Sequence, residues 1–185
     1  MMDEKFETLS SEELQIPDLT NIREEDAAQF PQELIVETGE EYTLEKRQNL
    51  YQKILKMSVP EKIRLAVLGN REARKLLIHD RTRIIPMVVL RSPKLSEGDV
   101  LNFAQQKNIS DEVIVAIARS KAWLKYYPIK LALASNPKTP LSIALRFLDH
   151  LHDKDLQALS RSKEISPVVA QTAGQILFKR KKIQK

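Results

Sequence analysis

The chain has no cysteine among its 185 residues and only four glycines, Gly39, Gly69, Gly98 and Gly174. Without thiols there is no disulfide framework, no thiolate metal site and no cysteine nucleophile. So few glycines cannot supply the many tight turns of a sandwich or barrel. Aromatic residues are 5% of the sequence against 42% hydrophobic in all, so Leu, Ile, Val and Ala must build the core. Side chains of that size let helices approach closely, and an all-α fold is expected. The longest apolar run, Ile84 to Leu90, contains Pro86 and is seven residues long. A membrane span needs roughly 20, so no membrane partner is expected. The acidic start, with Asp3, Glu4 and Glu7, is unlike a secretory signal, and a cytoplasmic location is the expectation.

Charge is divided unevenly. Residues 1–45 carry fourteen acidic side chains against two basic ones, a net of −12. Residues 46–185 carry eleven against twenty-eight, a net of +17. This suggests an acidic extension on a basic domain. In the extension, Leu9, Leu14, Ile16, Leu19 and Ile22 are scattered among acids, and Pro17 and Pro31 interrupt any helix. Residues 1–45 therefore read as an extension without stable order, with short helical stretches at Ser11–Leu14 and Glu24–Phe30. Glu33 to Glu37 is either extended or docked on the domain.

From Tyr42 the pattern becomes helical. Leu44, Leu50, Ile54 and Leu55 predict a helix of about three turns, with a restart after Ser58 that places Pro60 in the first turn. Gly69-Asn70 ends that helix, and another runs from Arg71 to His79. The segment Ile63-Arg-Leu-Ala-Val-Leu-Gly-Asn70 then returns 66 residues later as Ile129-Lys-Leu-Ala-Leu-Ala-Ser-Asn136, with Ile, Leu, Ala and Asn identical. Ile85 to Ser92 keeps the apolar positions of the same pattern. Turn markers at Asn70, Ser92, Ser120, Asn136 and Ser162 recur at a mean of 23 residues. Hydroxyls at Ser96, Ser110, Thr139 and Ser166 are placed to cap the helices that follow, each ahead of an apolar pair. Self-similarity of this period marks stacked short helices. The repeat domain is expected over residues 46–178, followed by a basic tail at 179–185.

The phrase Ile129-Lys-Leu-Ala-Leu-Ala-Ser-Asn-Pro-Lys-Thr-Pro140 resembles the variant leucine-rich repeats of bacterial proteins, and HEAT-type repeats are similar at this level. The resemblance implies a right-handed α-solenoid of short stacked helices. It implies no reaction, because such folds mostly present binding surfaces.

Catalytic signatures are lacking. His79, His150 and His152 are the only histidines. The last two are two positions apart and so lie on different faces of a helix, whereas helical metal ligands favour a spacing of four. No phosphate-binding glycine loop and no nucleophile motif occurs. No catalytic residue, metal or cofactor is expected, and the chain is read as not an enzyme.

Basic residues flank the repeated helix ends: Arg91 and Lys94, Arg119 and Lys121, Lys138, then Arg161 and Lys163. Two readings stay open. Cations in the last turn complement a helix dipole, at about 0.3–1 kcal/mol each. Alternatively they form a cationic ridge for an acidic protein or for the phosphates of a nucleic acid. Trp123, with Tyr126 and Tyr127, either fills the gap of an irregular repeat or anchors a partner. The expected role is a non-enzymatic scaffold or adaptor that binds protein through a basic superhelical surface. The alternative is a nucleic-acid-binding module whose acidic extension competes for that surface. None of these residues determines an oligomeric state.

Overall fold

The computed structural model describes residues 22–39 and 42–183. Every regular element among them is a helix. The chain divides into two compact units, Met1–Leu95 and Ser96–Lys185.

The first unit holds a 3₁₀ segment, Glu24–Gln29, and the helices α1 Gln32–Ile35, α2 Leu44–Leu55, α3 Val59–Leu68, α4 Arg71–Leu77 and α5 Ile84–Val89. Helix α2 starts where the Thr43 hydroxyl accepts the Lys46 N–H at 3.3 Å. Only Leu50 and Ile54, one turn apart, are buried on it, while Leu44 and Leu55 face solvent. Helix α3 starts at Ser58, whose N–H donates to the Glu61 carboxylate at 2.7 Å. The Ser58 hydroxyl donates to the same carboxylate, and together these bonds hold Glu61 below its ordinary pKa.

Gly69 joins α3 to α4 by close approach. A β-carbon there would lie 2.4 Å from the Leu65 carbonyl oxygen and 2.8 Å from the Ala73 methyl. Helix α5 is buried from Ile85 through Val89, which explains the longest apolar run. Pro86 is tolerated because it sits in the first turn, where an N–H has no intrahelical partner.

Of the acidic extension, residues 1–21 and 40–41 lie outside the described residues, and with them the expected helical stretch at Ser11–Leu14. The described part packs into the unit. Glu24–Gln29 is the expected short helix, in 3₁₀ form, and Leu34 and Phe30 are buried. The Tyr42 hydroxyl donates to the Glu33 carbonyl at 2.7 Å, so the Glu33–Glu37 segment docks. Composition concealed this because two or three buried apolar residues suffice to hold one helical turn.

The second unit holds α6 Glu97–Gln105, α7 Asp111–Arg119, α8 Lys121–Leu124, α9 Tyr127–Ser135, α10 Leu141–Leu148, α11 Asp153–Arg161 and α12 Pro167–Ile183. Ser96 and Ser110 cap as expected, accepting the Asp99 and Val113 N–H groups at 3.2 and 3.4 Å. Thr139 does not. Pro140, with φ −52° and ψ 137°, takes the capping position of α10, leaving Thr139 one residue too far upstream. Its buried hydroxyl has no hydrogen-bond partner.

The last helix also differs from expectation. Helix α12 runs past residue 178 to Ile183. Arg180 bonds through Nη1 to the Leu151 carbonyl at 2.8 Å and to Asp153 Oδ1 at 2.7 Å. Its Nη2 donates to the Asp149 carbonyl at 2.8 Å. A run of bases that reads as a solvated tail therefore contains the clamp of the α10–α11 corner.

Candidate functional site

The repeated turn residues are structural at their most conspicuous positions. Asn70 and Asn136 are 2% and 6% exposed. The Asn70 amide donates to the carbonyls of Glu33 and Val36, both at 2.8 Å. The Asn136 amide donates to those of Ala104 and Gln106, at 2.8 and 2.9 Å. In both cases one side chain bridges two carbonyls at the end of an earlier helix, the Glu33 carbonyl also accepting from the Tyr42 hydroxyl.

The two side chains differ at the carbonyl end. Asn70 Oδ1 accepts the Ala73 N–H and caps α4. Asn136 Oδ1 accepts the Lys138 N–H, because Pro137 to Pro140 delay the start of α10. Ser162 repeats the second arrangement more weakly, its hydroxyl accepting the Glu164 N–H at 3.3 Å. Ser92 reaches the Val67 carbonyl at only 3.5 Å.

The basic residues divide into two groups. The Lys94 ammonium donates to the Leu68 carbonyl at 2.8 Å, so it caps the end of α3. The Lys138 ammonium lies 3.4 Å from Asp111 at the start of α7. Both use their charge within the fold: Lys94 at a helix C-terminus, as the dipole argument anticipates, and Lys138 by pairing with a carboxylate at a helix N-terminus. Arg91, Arg119, Lys121, Arg161 and Lys163 are exposed and form no ion pair with another described residue.

Within the second unit, the ends of α6, α9 and α11 adjoin. Gln106 is tied to Asn136, and Lys107 pairs with Glu164 at 2.9 Å. The Glu164 carboxyl is held below its ordinary pKa by the hydrogen bond and charge of Lys107. The Lys107–Glu164 pair thus sits beside the ends of α6 and α11, while Lys138 pairs with Asp111 at the start of α7. A groove of about 360 Å³ lies between α6 and α9, with Leu101, Leu131 and Ala132 on its walls and Lys107 and Glu164 at its rim.

Trp123, Tyr126 and Tyr127 part company. Tyr127 is held in the fold: its hydroxyl donates to the Asp155 carboxylate and accepts the His152 N–H at 3.0 Å. Burial and the bond to Asp155 raise its pKa above the ordinary tyrosine value, against the opposing bond from His152. The His152 ring stacks on it at 4.4 Å. Trp123 and Tyr126 are half-buried neighbours with ring centroids 6.4 Å apart and planes tilted by 31°. Lys125 sits over the Tyr126 ring, 5.0 Å from its centroid. Sequence reasoning singled out Lys121 and Trp123 but missed Lys125, whose pairing with a ring depends on the bend after α8.

His150 and His152 are both exposed, and among the described residues no three His, Asp or Glu side chains converge as a metal site would require. No helix among the described residues is long and apolar enough to cross a membrane. No family model, curated protein or solved structure matches the chain.

Proposed function

We propose that this chain is a helical-repeat scaffold: a right-handed α-solenoid of variant leucine-rich or HEAT-like units that binds another protein and catalyses no reaction. The observation that carries the repeat is the shared bonding of Asn70 and Asn136, each satisfying two carbonyls of an earlier helix. A residue used twice in the same way 66 positions apart is what stacked units require. Binding is supported by what the fold leaves over. Arg119 and Lys121 are exposed just before the half-buried Trp123, and neither cation forms an ion pair with another described residue. Aromatic and arginine side chains in such a setting are the usual anchors of protein interfaces. The expected compartment is the cytoplasm.

The test is a pulldown with the tagged full-length chain from nuclease-treated extract, followed by reconstitution with each purified candidate. A protein that binds saturably at fixed stoichiometry after nuclease treatment is the expected result. Capture that disappears with nuclease would overturn the reading in favour of nucleic acid.

A further inference from the structure

Residues 113–148 contain no aspartate and no glutamate, yet they carry six bases, Arg119, Lys121, Lys125, Lys130, Lys138 and Arg146. Elsewhere in the second unit carboxylates are engaged close to home: Asp111 with Lys138, Asp153 with Arg180, Glu164 with Lys107 and Asp155 with the Tyr127 hydroxyl. Nothing comparable reaches Arg119, Lys121 or Lys125, which are exposed and without a carboxylate partner.

These three cations bracket α8, a single turn with no buried residue. Its carbonyl-side anchor is Ser120, whose backbone oxygen accepts the Trp123 and Leu124 N–H groups at 3.1 and 3.0 Å. Trp123 lies on that turn and its ring partner Tyr126 just beyond it, both half-buried, with Lys125 between them in the sequence.

Resting on the protein-binding reading above, we infer that the α7–α9 junction is a docking surface for an acidic peptide segment bearing an apolar side chain. The carboxylates meet Arg119, Lys121 and Lys125, and the apolar side chain packs on the open part of Trp123. Complementary charge selects the partner, because a basic or neutral segment leaves three cations uncompensated. Single-stranded nucleic acid offers anionic charge too, but it needs open aromatic faces for its bases. Here the Tyr126 face is covered by the Lys125 ammonium and Trp123 is half-buried. A carboxylate can meet that ammonium directly, while a base would first have to displace it.

Trp123 is the chain's single tryptophan, so its fluorescence reports on this surface alone. The full-length chain is titrated with a synthetic peptide of alternating Asp and Glu around a central Leu-Phe, and separately with oligothymidylate. The peptide is expected to change Trp123 emission saturably, with an affinity that falls as salt rises. The double variant Lys121→Glu/Lys125→Glu should bind at least about tenfold more weakly, with unchanged circular dichroism. Lys53→Glu, at an exposed position of α2, should bind as the parent does.

The inference is overturned if the peptide leaves the emission unchanged, if oligothymidylate binds in its place, or if the double variant binds normally. Its failure is separable from failure of the scaffold reading. A double variant that still captures the parent's protein partner in the pulldown removes this surface and leaves the scaffold standing. Failure of the parent chain to capture any protein removes the scaffold.

Discussion

Asn70 and Asn136 make the same pair of hydrogen bonds from positions 66 residues apart, each amide bridging two backbone carbonyls of an earlier helix. Both side chains are buried; the bond to the Ala104 carbonyl is buried with Asn136, and the other three are partly buried, so loss of the amide leaves acceptors with little access to water. The identity of this residue is therefore a packing requirement, and the surrounding Ile, Leu and Ala set where it lands.

Asn136→Ala leaves the Ala104 and Gln106 carbonyls without their donor. At about 1–3 kcal/mol for each unsatisfied buried group, the loss should be roughly 2–4 kcal/mol in urea unfolding. Thr139→Val, three residues on, removes a buried hydroxyl that has no partner and keeps its shape. That variant should be neutral or more stable by up to about 1 kcal/mol. Equal losses from both would contradict the assignment of roles.

Lys62 and Asp80 form a buried ion pair at 2.7 Å. Burial alone would raise the Asp80 pKa, but the bonds from Lys62 and from the Thr82 N–H outweigh it and lower it. The native state thus binds this proton more weakly than the unfolded chain does. Its contribution is full above the ordinary aspartate value, about 3.9, and is lost as pH falls through the depressed native value. Lys62→Met strands the carboxylate and should cost about 3 kcal/mol at neutral pH. The loss should shrink as the pH of the unfolding measurement is lowered through that window.

The Tyr127 hydroxyl links the start of α9 to Asp155 and to the backbone of His152. Tyr127→Phe should destabilise the chain by roughly 1–2 kcal/mol. Because its pKa is raised, the native state holds this proton more tightly. The benefit is full below the ordinary tyrosine value, about 10, and is lost as pH rises through the raised one. In an ultraviolet titration, Tyr127→Phe should remove a step lying above the ordinary tyrosine value.

Arg180 and Lys181 are adjacent bases with different fates. Arg180 makes three bonds to the α10–α11 corner, and Lys181 is exposed. Arg180→Ala should cost roughly 1.5–3 kcal/mol, and Lys181→Ala should stay within about 0.5 kcal/mol. Thermal unfolding of the two variants side by side checks the contrast.

Much of the helical arrangement was legible because apolar spacing and caps act locally. Ser96, Ser110 and Gly69 mark helix ends that can be found without knowing what packs against them. Arg180 was not legible, since its acceptors lie about 30 residues earlier and a run of bases looks solvated until they are placed. Thr139 misled for a finer reason: the phrase Thr-Pro suits a cap at Thr139, but Pro140 adopts the extended backbone of the capping residue itself. At the candidate surface, residue types pointed to Lys121 and Trp123. Which cations remained free depended on partners such as Asp111 and the Leu68 carbonyl, and no spacing rule supplies those.

The repeated asparagine is tested most directly by exchange of side-chain amide protons in the nitrogen-labelled chain, read by nuclear magnetic resonance. Asn49 and Asn108 are exposed and serve as internal references. The Nδ2 protons of Asn70 and Asn136 should exchange at least about a hundredfold more slowly than those of the references, since buried hydrogen-bonded groups exchange only through opening. Exchange of either asparagine at the rate of Asn49 and Asn108 would contradict the shared bonding.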